Sequence, residues 1–164
     1  MIARQIETAA ILPAAEYAKV RAERRKRITE IKKNRRLEVG PFATFYFESY
    51  DTMLHQVHEM LFIEKGGAEQ IPDELAAYNP LIPQGSELVA TVMFEIDDPA
   101  RRARMLARMG GVEETAFIEI DGLRVAGVPE ADADRTNEEG KASAVQFIHF
   151  PFGREQAAAF RKDG

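Results

Sequence analysis

Residues 117–128, FIEIDGLRVAGV, are the stretch of this chain from which its fold is best read. Asp121-Gly122 tolerates the positive backbone angles of a two-residue hairpin turn, and apolar residues alternate on both sides of it. The turn sets the register. Ile120 faces Leu123, Ile118 faces Val125, and on the opposite side Glu119 meets Arg124 as a cross-strand ion pair of structural rather than catalytic character. Working outward, residues 87–96 alternate Leu88, Ala90, Val92, Phe94 and Ile96 on a core face. Residues 42–49 (FATFYFES) set Phe45 and Phe47 against Thr44, Tyr46 and Glu48, and residues 144–152 read as a final strand.

Helical signals fill the intervals. Pro13 stands where a first helical turn tolerates it, and residues 14–37 contain neither Gly nor Pro, predicting one long helix that Gly40 and Pro41 stop. Tyr17, Val20, Ile28 and Ile31 form a thin apolar seam interrupted by Arg24, which suits a surface helix. Asp51 or Thr52 caps a second helix running to about Lys65, where Gly66-Gly67 ends it. A short helix over 72–78 leads into the extended Asn79-Pro80-Leu81-Ile82-Pro83, Asp97 and Asp98 cap a helix over 99–109, and 154–162 form a last helix. Residues 129–143 are a long polar connection. Strands clustered after helices, without regular alternation, predict the α+β class: a mostly antiparallel sheet of about five strands, helices packed against it, and a long basic N-terminal helix. At 164 residues the expectation is a single domain over 1–164, with 42–152 as its sheet and packed helices.

Composition narrows the function classes. The chain is 45% apolar and 30% charged, which suits a folded core and not a disordered segment. No apolar run approaches the roughly 18 residues of a membrane span, and the first ten residues carry Arg4 and Glu7 in place of a signal-peptide core, so a soluble, cytoplasmic protein without membrane contact is expected. The absence of cysteine excludes disulfides, thiolate metal sites, iron–sulfur ligation by its own cysteines and a cysteine nucleophile. Charge is segregated: residues 19–36 hold ten basic and two acidic side chains, a local balance of +8, whereas the remainder holds 12 basic and 25 acidic ones, or −13. Such a basic element meets the chain's own acidic surface, a twin subunit, an acidic protein or nucleic acid. Arg24, Arg25, Lys32 and Arg36 are its partner-binding candidates.

Residues 48–64 are the most suggestive for chemistry. At about 100° per residue, Met53, Leu54, Val57, Met60 and Leu61 share a core face, Thr52, Gln56 and Glu59 line up beside it, and His55, His58 and Phe62 make an adjacent stripe. His55 and His58 are weak metal candidates, because a zincin needs His-Glu-x-x-His and a di-iron bundle needs two Glu-x-x-His pairs, and the chain has neither. No metal or cofactor is therefore expected. Glu64 points toward the apolar arc, either as a buried carboxylate or on a frayed last turn. His149 shares a strand face with Val145 and Phe147, as a satisfied core or rim histidine does, and no nucleophile elbow surrounds Ser49, Ser86 or Ser143. Residues 130–143 fail the calcium-loop pattern for want of the sixth-position Gly and twelfth-position Glu. They fail the phosphate-loop pattern because Gly140-Lys141 is followed by Ala. Arg135, Thr136, Lys141 and Ser143 remain as donors that could hold an anion, against the plainer reading of a solvated loop.

Four segments together resemble a bacterial family of unknown function, domain-of-unknown-function family 3501: residues 33–40 (KNRRLEVG), 47–64 with Thr52, Gln56, Glu59 and Met60, 78–83 (YNPLIP) and 135–150 (RTNEEGKASAVQFIHF). The resemblance carries no catalytic residue. It implies genes beside rubrerythrin-like and iron–sulfur proteins, hence an accessory role in redox or oxidative-stress physiology, and it does not include His55 or His58. The expected function is accordingly an accessory or protein-interaction domain, a homodimer with a possible acidic or redox protein partner. The alternative is a small-ligand-binding protein or enzyme built from Glu48, Thr52, Gln56, Glu59, Asn79, Arg135, Lys141 and Ser143, with Glu59 as base or acceptor and Gln56 orienting the ligand. Nucleic-acid binding by the basic helix is the third reading, disfavoured by the acidic remainder.

Overall fold

Helix α1 (Ala14–Lys33) begins directly after Pro13, whose carbonyl accepts from the Tyr17 N–H, and it ends at Asn34, short of the expected residue 37. The reason lies just beyond it. Gly40, at φ +67, turns the chain at Pro41 and Phe42 so that Arg36–Val39 folds back as strand β1 on β2 (Ala43–Phe47), with Leu37 opposite Phe45 and Val39 opposite Ala43. Strand pairing thus overrides the helix propensity of these four residues. In a computed structural model that describes residues 2–131 and 139–162, the chain forms two compact units, each discontinuous in sequence: residues 1–35 with 48–84, and 36–47 with 85–164.

The first unit is helical. Helix α2 (Tyr50–Glu64) is capped by Ser49, not by Asp51 or Thr52: the Ser49 hydroxyl accepts from the Thr52 N–H, and Thr52 Oγ1 accepts from the Ser49 N–H at 2.8 Å. Extended backbone at Ser49 permits that reciprocal box. Lys65 closes the helix in the left-handed region and Glu64 is exposed, accepting from Gln70 Nε2 at 2.7 Å. Helix α3 spans Ile71–Tyr78. Tyr17, Ile28, Met53, Val57, Leu81 and Ile82 are buried in this unit.

The second unit holds the α+β sheet. Five strands pair antiparallel in the order β1-β2-β3-β7-β6, with β3 Glu87–Phe94, β6 Val128–Pro129 and β7 Val145–Pro151. Asp98 caps α4 (Pro99–Leu106), and α5 covers Arg154–Phe160. The hairpin forms in the expected register as β4 (Phe117–Ile120) and β5 (Leu123–Ala126), with Asp121 and Gly122 both at positive φ. It stands as a two-stranded ribbon apart from the main sheet, in which β1 and β6 occupy the remaining places. The expected Glu119–Arg124 ion pair is not among those the described residues form. The Arg124 guanidinium lies 3.8 Å over the Phe117 ring instead, a contact competitive with an exposed ion pair. Ala90, Val92, Val125, Ile148 and Phe150 make the core between ribbon and sheet.

Candidate functional site

Alternation along three strands builds the floor of a cleft in the sheet unit. Phe45 and Phe47 on β2, Val92 and Phe94 on β3, and Ile148 on β7 share one face, as the register requires: Phe45 lies opposite Val92, and Val92 opposite Gln146. The single turn Val112–Glu114, Ala116 in the link after it, and strand β4 supply the facing wall through Val112, Ala116, Phe117 and Ile118, and Leu37 and Val39 of β1 complete the lining as its rim. The cleft, open on one side, has a volume of about 370 Å³, the size of a small-molecule site. Gly127 sets the approach of ribbon to sheet. A Cβ there would stand 2.7 Å from Ile148 Cγ2 and 2.9 Å from the Ala116 carbonyl, which already accepts from the Gly127 N–H at 2.8 Å.

Three polar side chains interrupt the apolar lining: Glu113, Thr115 and Gln146. Glu113 is 4% exposed and Gln146 1%, and the Gln146 amide donates to the Ser143 carbonyl at 3.1 Å. Among the described residues the lining contains no Lys, Arg or His. Such a lining suits apolar surface, with a few polar side chains among its walls.

Most of the polar residues singled out from sequence sit in the helical unit, hydrogen-bonded to neighbours there. Glu59 accepts from Tyr17 Oη at 2.7 Å and bidentately from Arg21 Nε and Nη2 at 3.0 and 2.9 Å, which locks α1 to α2. The Arg21 bonds, with help from Tyr17 and against the cost of burial, bring its carboxyl down to about 2, so Glu59 is a poor proton acceptor at neutral pH. Tyr17 is raised well above the ordinary phenol range, by burial first and then by the carboxylate it serves. Thr52 Oγ1 donates to the buried Glu48 carboxylate, Gln56 reaches Tyr78 Oη at 3.4 Å, and Asn79 bonds both the N–H and the C=O of Ile6. Lys141 and Ser143 belong to the sheet unit, where the Ser143 hydroxyl accepts from the Val145 N–H, and Arg135 lies outside the described residues. The group named from sequence is thus divided between the two units.

The histidines differ from one another. His58 stacks on Tyr17 with ring centroids 4.7 Å apart, and its Nε2 accepts from the Leu12 N–H, so that lone pair is not open to a metal. Burial, then the nearby Arg24, lowers it to about 4. His55 is also lowered, chiefly by burial. His149 lies between two carboxylates, Nδ1 3.1 Å from Glu87 and Nε2 2.7 Å from Glu130; burial opposes its charge, but those two hydrogen bonds outweigh it and the net shift is upward.

The family model described as Protein of unknown function (DUF3501) matches residues 5–164. The chain belongs to that family. This DUF3501 protein is also similar to a crystal structure described as a novel protein of unknown function from Burkholderia pseudomallei K96243. The two share 34% sequence identity over 96% of this chain and 82% of that one, with a TM-score of 0.88. No curated protein matches it. Among its described residues no helix is long and apolar enough to cross a membrane.

Sequence reasoning did not single out Glu113, Gln146, Phe117 or the Leu37–Val39 rim as site residues. Alternation in Arg36-Leu37-Glu38-Val39 ahead of Gly40-Pro41 was the available signal for the rim. Nothing local marks Glu113.

Proposed function

We propose that this protein is a binding protein whose sheet-unit cleft takes up a small, predominantly apolar molecule that is neutral or positively charged. One observation carries the reading: a cleft of about 370 Å³ with aromatic and aliphatic walls in which Glu113 is the single ionisable lining residue among the described residues. A carboxylate or phosphate head would meet a carboxylate and, among the described lining residues, no Lys or Arg, whereas an amine or hydroxyl meets the polar side chains of Glu113, Thr115 and Gln146. Fluorescence titration with the neutral dye N-phenyl-1-naphthylamine and its anionic relative anilinonaphthalene sulfonate tests this. The expected result is preference for the neutral dye, lost when Ala116→Phe fills the cleft. Absence of binding, or binding unchanged in that variant with the fold intact by circular dichroism, overturns it.

A second reading rests on a separate observation in the helical unit. Arg24, Arg25 and Lys32 form no ion pair among the described residues, whereas Lys19, Lys33 and Arg36 pair with Glu16, Glu30 and Glu38. These three unneutralised cations on α1 favour contact with an acidic cytoplasmic protein, of which a redox partner is one case. Binding of poly-glutamate that weakens with salt and with the combined Arg24→Gln, Arg25→Gln, Lys32→Gln variant supports it. Tighter binding of duplex DNA than of poly-glutamate at the same salt contradicts it.

A further inference from the structure

The two edges of the five-stranded sheet are unlike. Strand β6 is two residues long and ends in Pro129, which has no N–H to offer, so that edge is blunted. Strand β1 is four residues long and exposed throughout, with Leu37 56% and Val39 49% exposed. An edge that presents both backbone pairing groups and large apolar side chains is a template for another strand. Its sequence states which one. In Arg36-Leu37-Glu38-Val39, Arg36 and Glu38 share one face and Leu37 and Val39 the other, and the two charges are symmetric about Leu37.

We propose that β1 pairs antiparallel with β1 of a second copy of this chain, Leu37 opposite Leu37, so that Arg36 of each copy faces Glu38 of the other. A two-fold axis perpendicular to the sheet keeps like faces together, which antiparallel continuation of the sheet requires. Moving that axis one residue along the strand sets Glu38 opposite Glu38 or Arg36 opposite Arg36, and moving it two residues, to Val39, sets Glu38 opposite Gly40, so only the Leu37-centred register pairs each Arg36 with a Glu38. In it the partner's Leu37 extends the apolar rim of the cleft, and the Arg36–Glu38 contact within each strand, 3.0 Å long and exposed, exchanges for two contacts across the axis.

The experiment is native mass spectrometry and sedimentation of the full chain at micromolar concentration, with charge reversals at the paired positions. Wild type is expected to be a dimer. Glu38→Arg makes every cross-strand charge contact positive and Arg36→Glu makes each negative, so each variant alone is expected to weaken dimerisation at least about tenfold. Mixed one to one, the two variants are expected to form a heterodimer, and the double variant Arg36→Glu, Glu38→Arg to restore the homodimer. Circular dichroism confirms that each is folded. A monomeric wild type, a dimer untouched by either reversal, or two reversed variants that stay apart on mixing would overturn the proposal.

Discussion

In the helical unit the Glu59 carboxylate meets three donors and titrates near 2, whereas in the sheet unit Glu113 sits in the wall of a cleft otherwise made of Phe, Val, Ile, Leu and Ala, with Thr115 and Gln146. The two histidine environments repeat the contrast. His58 is held neutral against Tyr17 and the Leu12 N–H, while His149 is held toward the charged form by Glu87 and Glu130. Residue type alone therefore predicts little about role. The Glu59 carboxylate, held by Arg21 and Tyr17, fastens two helices, whereas Glu113 lies in the lining of a cleft.

The strongest way to break this contrast is to remove the helical unit's central ring. Tyr17→Ala deletes a buried side chain together with its stack on His58 and its bond to Glu59, and urea unfolding is expected to show a loss of about 3–5 kcal/mol. A loss no larger than that of an exposed substitution would mean that Tyr17 does not hold α1 to α2. Next in size is Gly127→Ala. Its Cβ meets Ile148 and the Ala116 carbonyl below 3.0 Å, so the ribbon must move, with an expected loss of about 1–3 kcal/mol and weaker uptake of the neutral dye. Unchanged dye affinity would separate the ribbon from the cleft.

Smaller effects come from pH, and the two units fail on opposite sides. The depressed carboxyl of Glu59 contributes stability fully present above its unfolded value of about 4.5 and lost as pH falls through about 2. His58, lowered to about 4, adds a contribution present above 6.5 and lost as pH falls through 4. His149 is raised, so its contribution is complete below 6.5 and lost as pH rises through its folded value. Stability measured across pH is expected to decline at both ends. Glu59→Gln flattens the acid limb and His149→Gln the limb that begins above 6.5, the latter the slightest change; an unaltered profile in either variant contradicts the assignment.

Local chemistry made part of the fold legible. Asp121-Gly122 carries its own turn geometry, and the alternation from Leu88 to Phe94 places the core face of β3, because both signals lie within a few residues. Strand β1 was hidden, since Arg36–Val39 follows twenty residues of good helix formers and is strand only through pairing with β2. The site was hidden for a related reason. Tyr17 and Glu59 meet across 42 positions, and Leu37, Glu113 and Gln146 reach one cleft from three distant segments, so no spacing rule connects them. Glu59 and Gln56 looked available because a helical wheel shows which residues share a stripe and not which neighbour has already engaged them.

The most direct measurement of the central claim is methyl-resolved NMR of the protein titrated with N-phenyl-1-naphthylamine. Shifts concentrated at Leu37, Val92, Val112, Ile118 and Ile148, with Ile28, Met53 and Val57 of the helical unit still, are the expected result. Shifts confined to the helical unit, or none at saturating dye, would contradict it.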